Sequence, residues 1–91
     1  MSAVLIGLDD SRTEIGHKPT LKEAQQMVGG YVEAIRLGEG GILLINEDGK
    51  LDDTSNINRV ATRLAEPGKY IYKGDYIAGV AIHLTGKEVW R

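Results

Sequence analysis

Val28-Gly-Gly-Tyr-Val-Glu-Ala-Ile-Arg-Leu37, Leu43-Leu-Ile-Asn-Glu-Asp-Gly-Lys-Leu51 and Asn56-Ile-Asn-Arg-Val-Ala-Thr62 decide the fold of this chain. Read in order, they give a helix end, a strand, a hairpin, a second strand, a turn and a second helix. Tyr31 to Leu37 alternates, with Tyr31, Glu33 and Ile35 on one side and Val32, Ala34 and Arg36 on the other. Neither side is wholly polar, so the strand is assigned and its inward face is left open. Gly38-Glu-Gly-Gly41 joins it to Ile42-Leu-Leu-Ile45, two apolar runs about a glycine-rich turn, which predicts an antiparallel hairpin with Ile42 to Ile45 as the central strand. Asn46-Glu-Asp-Gly49 is a tight-turn sequence, because Asp48-Gly49 accepts positive φ cheaply. Asp53, Thr54, Ser55 and Asn56 then compete as N-caps. Ile57, Val60, Ala61 and Leu64 carry i, i+3, i+4, i+7 spacing for a second helix, with Arg59, Thr62 and Arg63 outward and Glu66-Pro67-Gly68 as its end.

Working outward, Ala3 to Leu8 is a short apolar run closed by Asp9-Asp10-Ser11 and reads as a buried strand. Asp9 to Pro19 lacks periodicity and reads as a loop of about ten residues. Thr20-Leu-Lys-Glu23 is a capping box, Leu21, Ala24, Met27 and Val28 share a helix face, and Gly29-Gly30 supplies the positive φ that stops the helix at Val28. Downstream, Tyr70-Ile-Tyr72, Lys73-Gly-Asp75 and Tyr76 to Leu84 form a second predicted hairpin, in which Gly79 indicates a bulge or close packing. The tail carries Trp90, the one tryptophan, which packs back on the domain or anchors a partner. Hairpins dominate and two amphipathic helices are available. The expected fold is α+β over residues 1–91 as a single domain, a small antiparallel sheet of about five strands with two short helices packed on one face.

Composition excludes several functions. Ninety-one residues build one domain and leave little volume for a deep enclosed cleft. Eleven Lys and Arg against thirteen Asp and Glu give a net charge of −2, without the basic excess that duplex DNA or RNA binding demands. The carboxylate clusters Asp9-Asp10, Glu47-Asp48 and Asp52-Asp53 read first as solvated turns and second as a local negative patch. Zero cysteines exclude disulfides, thiolate metal sites and a cysteine nucleophile. No apolar run approaches the roughly 20 residues needed to span a bilayer, and Ala3 to Leu8 lacks the flanks of a signal peptide. A cytoplasmic protein is expected, without membrane contact.

Motifs for chemistry are equally sparse. Gly38-Glu-Gly-Gly41 lacks the spacing and the Lys-Ser/Thr of a phosphate loop and precedes a strand, where a phosphate cradle needs a helix N-terminus. Setting Gly49 at the sharp turn of a calcium loop puts Leu44 and Ser55 at ligand positions, so that site is rejected. His17 and His83 pair with no serine nucleophile, and the carboxylate pairs are sequential turn residues. Neither catalytic residues, a metal nor a cofactor is assigned. The polar set with recognition chemistry is Asn46, Asn58, Arg59, Thr62 and Asp75. Asparagine reads an amide or base edge and arginine forks onto phosphate or carboxylate. Against this, Asn46 and Asp75 are ordinary turn residues, and Asn58 with Thr62 would equally tie a helix to the sheet. Tyr31, Tyr70, Tyr72 and Tyr76 add contact chemistry for a protein interface.

Four ordered motifs, Val28-Gly-Gly-Tyr-Val-Glu33, Asn46-Glu-Asp-Gly-Lys50, Asn58-Arg-Val-Ala-Thr62 and Asp75-Tyr-Ile-Ala-Gly79, resemble those of a family of small domains of unknown function found largely in bacteriophages, prophages and bacterial mobile elements. The similarity spans about Leu21 to Ile82, and the first 20 residues and the Trp90 end lie outside it. The resemblance brings no catalytic residues. It implies a context in which short phage proteins disable bacterial immunity. The expectation is a non-catalytic phage accessory protein that binds a host defence protein in the cytoplasm of the infected cell. The alternative is a sponge for a nucleotide immune signal, with Asn46, Asn58, Arg59 and Thr62 lining a pocket between subunits. A nucleotide-acting enzyme is a distant third. A homo-oligomer, paired through strand edges at Tyr31 or Tyr76, is compatible with the first two.

Overall fold

The structure, a computed structural model, describes residues 2–37, 41–47, 57–65 and 76–86. It contains β1 (Ser2–Ile6), β2 (Arg12–Glu14), α1 (Leu21–Val28), β3 (Val32–Arg36), β4 (Ile42–Asn46), α2 (Arg59–Ala65) and β5 (Ala81–Thr85). The five strands form one sheet in the order β2-β1-β5-β4-β3, antiparallel at every pairing. The α+β class and the five-stranded antiparallel sheet are those expected.

The placement of the helices differs from expectation. Ile42 and Leu44 of β4 join Ala24 and Val28 of α1 with Ala3, Ile82 and Leu84 in one buried cluster. Leu43 and Ile45 join Ala61 and Ala65 of α2 with Ile77 and Ala81 in another. Successive residues of a strand point to opposite faces, so the helices cover opposite faces of the sheet rather than one. Residues 42–45 are accordingly all buried, and a continuous apolar run is what a strand covered on both sides requires. β4 is an interior strand, as expected, but the middle of the sheet belongs to β5.

The segment read as a loop from Asp9 to Pro19 contains β2. Arg12, Thr13 and Glu14 are all exposed, so β2 buries no side and leaves no alternation to detect. It is held instead by pairing, Val4 opposite Glu14 and Ile6 opposite Arg12, and by the Ile15 N–H donating to the Ala3 carbonyl at 2.7 Å. The reversal before it closes with the Gly7 N–H donating to Ser11 O at 2.9 Å. A β-carbon on Gly7 would stand 2.6 Å from Ser11 Oγ and 2.8 Å from Asp9 Oδ1, so those two exposed side-chain tips would have to swing aside to admit one.

α1 follows its sequence signals. Thr20 Oγ1 accepts from the Glu23 N–H at 3.2 Å while the Glu23 carboxylate accepts from the Thr20 N–H at 2.9 Å. Gly29, at φ 83°, closes the other end. α2 starts later than any of its predicted caps, with Asn58 as the cap, and Ile57 makes an isolated bridge to Ala78 instead of joining the helix. Gly79 lies in a bend before β5 at φ 83°, with nothing near its missing β-carbon, so it supplies a left-handed backbone conformation rather than close packing. The first strand of the predicted second hairpin, the Asp48-Gly49 turn, the Glu66-Pro67-Gly68 stop and Trp90 lie outside the described residues.

Candidate functional site

The antiparallel registers bring the C-terminal ends of β1 and β4 and the N-terminal ends of β3 and β5 to one end of the sheet. Ile6 pairs with Ala81, Ile42 with Leu84, and Val32 with Asn46. Tyr31, Asn46, Asn58 and Arg59 of the predicted set therefore gather at this end, together with the Gly7 to Ser11 turn and Gly79. Thr62 stands one turn into α2. Tyr76 leads into Ile77 close by, whereas Asp75, Tyr70 and Tyr72 lie outside the described residues.

Asn58 is the hub. Its side chain is fully buried and Nδ2 donates to two carbonyls, Ile6 O and Gly79 O, both at 3.0 Å. Oδ1 accepts from the Ala61 N–H at 3.0 Å, which is the N-cap bond of α2. Its backbone N–H donates to Ile77 O at 2.8 Å, and its carbonyl accepts from the Thr62 N–H and from Thr62 Oγ1. Thr62 Oγ1 in turn accepts from the Ile77 N–H at 2.9 Å. The amide thus has both donors and an acceptor engaged, joining β1, α2 and the approach to β5. Thr62, predicted on the outer face of α2, turns inward to close this network. The geometry is that of a structural clasp, the second of the two readings open for these residues.

Around the clasp the surface is charged. Arg59 Nη2 approaches Asp10 Oδ2 at 3.2 Å, linking the first turn of α2 to the β1–β2 reversal, and both side chains are exposed. Such a pair contributes at most about 1 kcal/mol. Asp10 itself sits at φ 68°, a left-handed conformation that aspartate tolerates better than most residues. Hydrogen bonds from Ser11, side chain first and backbone second, hold the exposed Asp9 carboxyl below its usual range. Asn46 Nδ2 donates to Val28 O at 3.1 Å, tying the end of α1 to β4, and Gly30 leaves room for that amide. Tyr31 offers its carbonyl to the Glu47 N–H and is 71% exposed, and Leu8 is 41% exposed. The strands they adjoin, β1 and β3, are three inter-strand spacings apart, roughly 14 Å.

Sequence reasoning marked Arg59 but not its partner, because an ion pair between residues 49 positions apart leaves no local pattern. Leu8, placed within the first strand, falls in the reversal. At the opposite end of the sheet His17 Nε2 meets Glu23 Oε2 at 3.0 Å, and backbone and side-chain hydrogen bonds, from Thr20 and then His17, hold the exposed Glu23 carboxyl below its usual range. His83, half-buried on β5, is pushed below the ordinary histidine range by desolvation. Among the described residues no group of three or more His, Asp or Glu is placed to hold a metal ion, and no helix is long and apolar enough to cross a membrane.

Fold and site together define a small α+β domain in which the buried Asn58 serves the architecture and Leu8, Asp9, Asp10, Tyr31 and Arg59 are exposed at one end of the sheet. The chain belongs to the DUF3846 family, a domain of unknown function, which matches residues 1–87. Comparison with curated proteins and with solved structures gives no match.

Proposed function

We propose that this protein is a non-catalytic accessory protein of a bacteriophage or mobile element that inhibits a bacterial defence protein by binding it. The observation that carries the reading is the composition of the sheet end. Leu8 and Tyr31 are two of the three large apolar residues exposed among the described residues, and they share that end with Asp9, Asp10, Glu47 and Arg59. Apolar anchors set among charged groups are the chemistry of a protein-binding surface. The phage context comes from the resemblance of the four ordered motifs.

A nucleotide sponge is less well supported, because Asn58 and Thr62 spend their hydrogen-bonding groups inside the fold. The test is phage plating on bacterial strains that each carry one defence system, with the protein expressed in trans. Wild-type protein should restore plaques on at least one strain, and Leu8→Glu and Tyr31→Ser should lose the rescue while remaining folded. Rescue that survives both substitutions removes the sheet end from the mechanism. Thermal stabilisation of the purified protein by a cyclic nucleotide or an ADP-ribose derivative would favour the sponge instead.

A further inference from the structure

We infer that the outer edge of β3 is the dimer interface of this protein, pairing antiparallel with β3 of a second copy about a two-fold axis at Ala34. The argument begins with backbone parity. The Glu47 N–H donates to Tyr31 O at 2.8 Å and the Leu37 N–H to Gly41 O at 2.8 Å, so the odd-numbered residues from 31 to 37 direct their amide groups at β4. The even-numbered residues Val32, Ala34 and Arg36 direct theirs away from it. No strand among the described residues pairs on that side, and Glu33, Ala34 and Arg36 are exposed.

The two edges of the sheet are not equivalent. β2 has three residues, two of them the charged Arg12 and Glu14, and follows a kinked reversal, features that blunt an edge against pairing. β3 has five residues, a small alanine at its centre and the exposed Tyr31 beside it. A two-fold axis normal to the sheet pairs residues of the same parity. Among such registers, the one centred on Ala34 engages all three outward-facing residues, Val32 with Arg36, Ala34 with Ala34 and Arg36 with Val32, forming about six backbone hydrogen bonds between copies. The same register sets Tyr31 against Leu37 of the second copy, giving the exposed ring an apolar neighbour, and Glu33 against Ile35. Sliding by one pair toward residue 33 would oppose Glu33 with Glu33, and sliding the other way would carry Val32 past Arg36, the last residue of the second copy's β3. Like charges directly opposite are unfavourable, so the side chains select the register that the backbone favours. The occupant is a second copy because the edge satisfies itself in this one register.

The test is sedimentation equilibrium of the full chain from about 10 µM to about 1 mM, with amide exchange followed by NMR. The wild type should reach twice the monomer mass, and exchange at Val32, Ala34 and Arg36 should slow about tenfold or more as the dimer fills, while Glu33 and Ile35 remain protected at every concentration. Ala34→Lys, which opposes two ammonium groups at the axis, and Ala34→Pro, which removes an outward N–H without costing a bond to β4, should both be monomeric with unchanged far-UV circular dichroism. A wild type that stays monomeric, a dimer that persists in folded Ala34→Lys, or concentration-independent exchange at the three even-numbered amides would overturn the inference. Should both variants unfold, the exchange pattern of the wild type decides.

Discussion

Replacing Asn58 by alanine should cost this domain a large share of its stability, and the structure allows the cost to be worked out. The substitution deletes three side-chain hydrogen bonds, two of them buried, to Ile6 O and the Ala61 N–H, and one part-buried, to Gly79 O. At roughly 0.5–1.5 kcal/mol net for each bond, the sum is about 3 kcal/mol. The Ile6 carbonyl and the Ala61 N–H are left buried without those partners, which carries the expected loss to roughly 3–5 kcal/mol. A domain of this length holds on the order of 5–14 kcal/mol in total. Urea unfolding followed by far-UV circular dichroism should show a much lower midpoint with an unchanged slope, and thermal unfolding should drop by about 15 °C or more. Asn58→Asp sharpens the test. It keeps the oxygen that caps α2 but turns lone pairs and a charge toward the Ile6 and Gly79 carbonyls, so it should be at least as damaging as alanine. A loss below about 0.5 kcal/mol for Asn58→Ala, the range of ordinary surface substitutions, would refute the clasp and return Asn58 to the pool of ligand-binding candidates.

Two further outcomes follow from single residues. Burial lowers the His83 pKa in the folded chain relative to its ordinary value of 6.5, so the unfolded chain binds more protons below that pH. The stability associated with neutral His83 is therefore complete above pH 6.5 and declines as pH falls from there toward the folded-state pKa. Urea midpoints measured across that window should fall for the wild type and flatten for His83→Gln, and a wild-type curve without slope just below pH 6.5 would contradict this. Gly79→Ala should cost about 1–2 kcal/mol, because φ 83° is strained for any side chain although the space is open, whereas Gly16→Ala, with open space and no left-handed backbone, should lie within about 0.5 kcal/mol of wild type. Equal midpoints for the two variants would mean that the backbone at Gly79 relaxes freely.

Elements whose signals are local could be read from the chain, and elements decided by distant contacts could not. α1 was legible to the residue because a capping box and a glycine stop act within one turn of the helix ends. β3 and β4 were legible from their runs about a glycine-rich turn. The start of α2 was misplaced because Asp53 to Asn56 all have capping chemistry, and the choice falls to Asn58 through carbonyls 52 and 21 positions away. β2 escaped because an edge strand exposed on both sides shows no periodicity. The two-faced packing did leave a trace, since Ile42-Leu-Leu-Ile45 has no polar alternate and a sheet with one solvated face would have supplied one. In the site, residue types were legible and their roles were not. An asparagine that reads a ligand and one that satisfies three backbone groups inside the fold look alike until the fold shows what surrounds them.

Tyr31 belongs to both surfaces proposed for this molecule, and that overlap determines how the two are separated. Its ring lies at the sheet end, where a protein partner would meet it, and it also begins the edge that would pair with a second copy. A two-fold axis normal to the sheet at Ala34 reverses the strand direction between copies. It therefore places the two sheet ends at opposite extremes of a continuous sheet, and each Leu8, three strand spacings from the edge, stays clear of the interface. A dimer of this form is bivalent, presenting two copies of the Leu8, Asp10 and Arg59 surface facing away from each other. Loss of activity in Tyr31→Ser alone would not distinguish a broken dimer from a broken partner surface. Leu8→Glu should abolish phage rescue and leave the dimer intact, and Ala34→Lys should abolish the dimer and leave the Leu8 surface intact. If Ala34→Lys also loses rescue while remaining folded, the second binding site contributes through avidity, and joining two Ala34→Lys chains by a flexible linker should restore it.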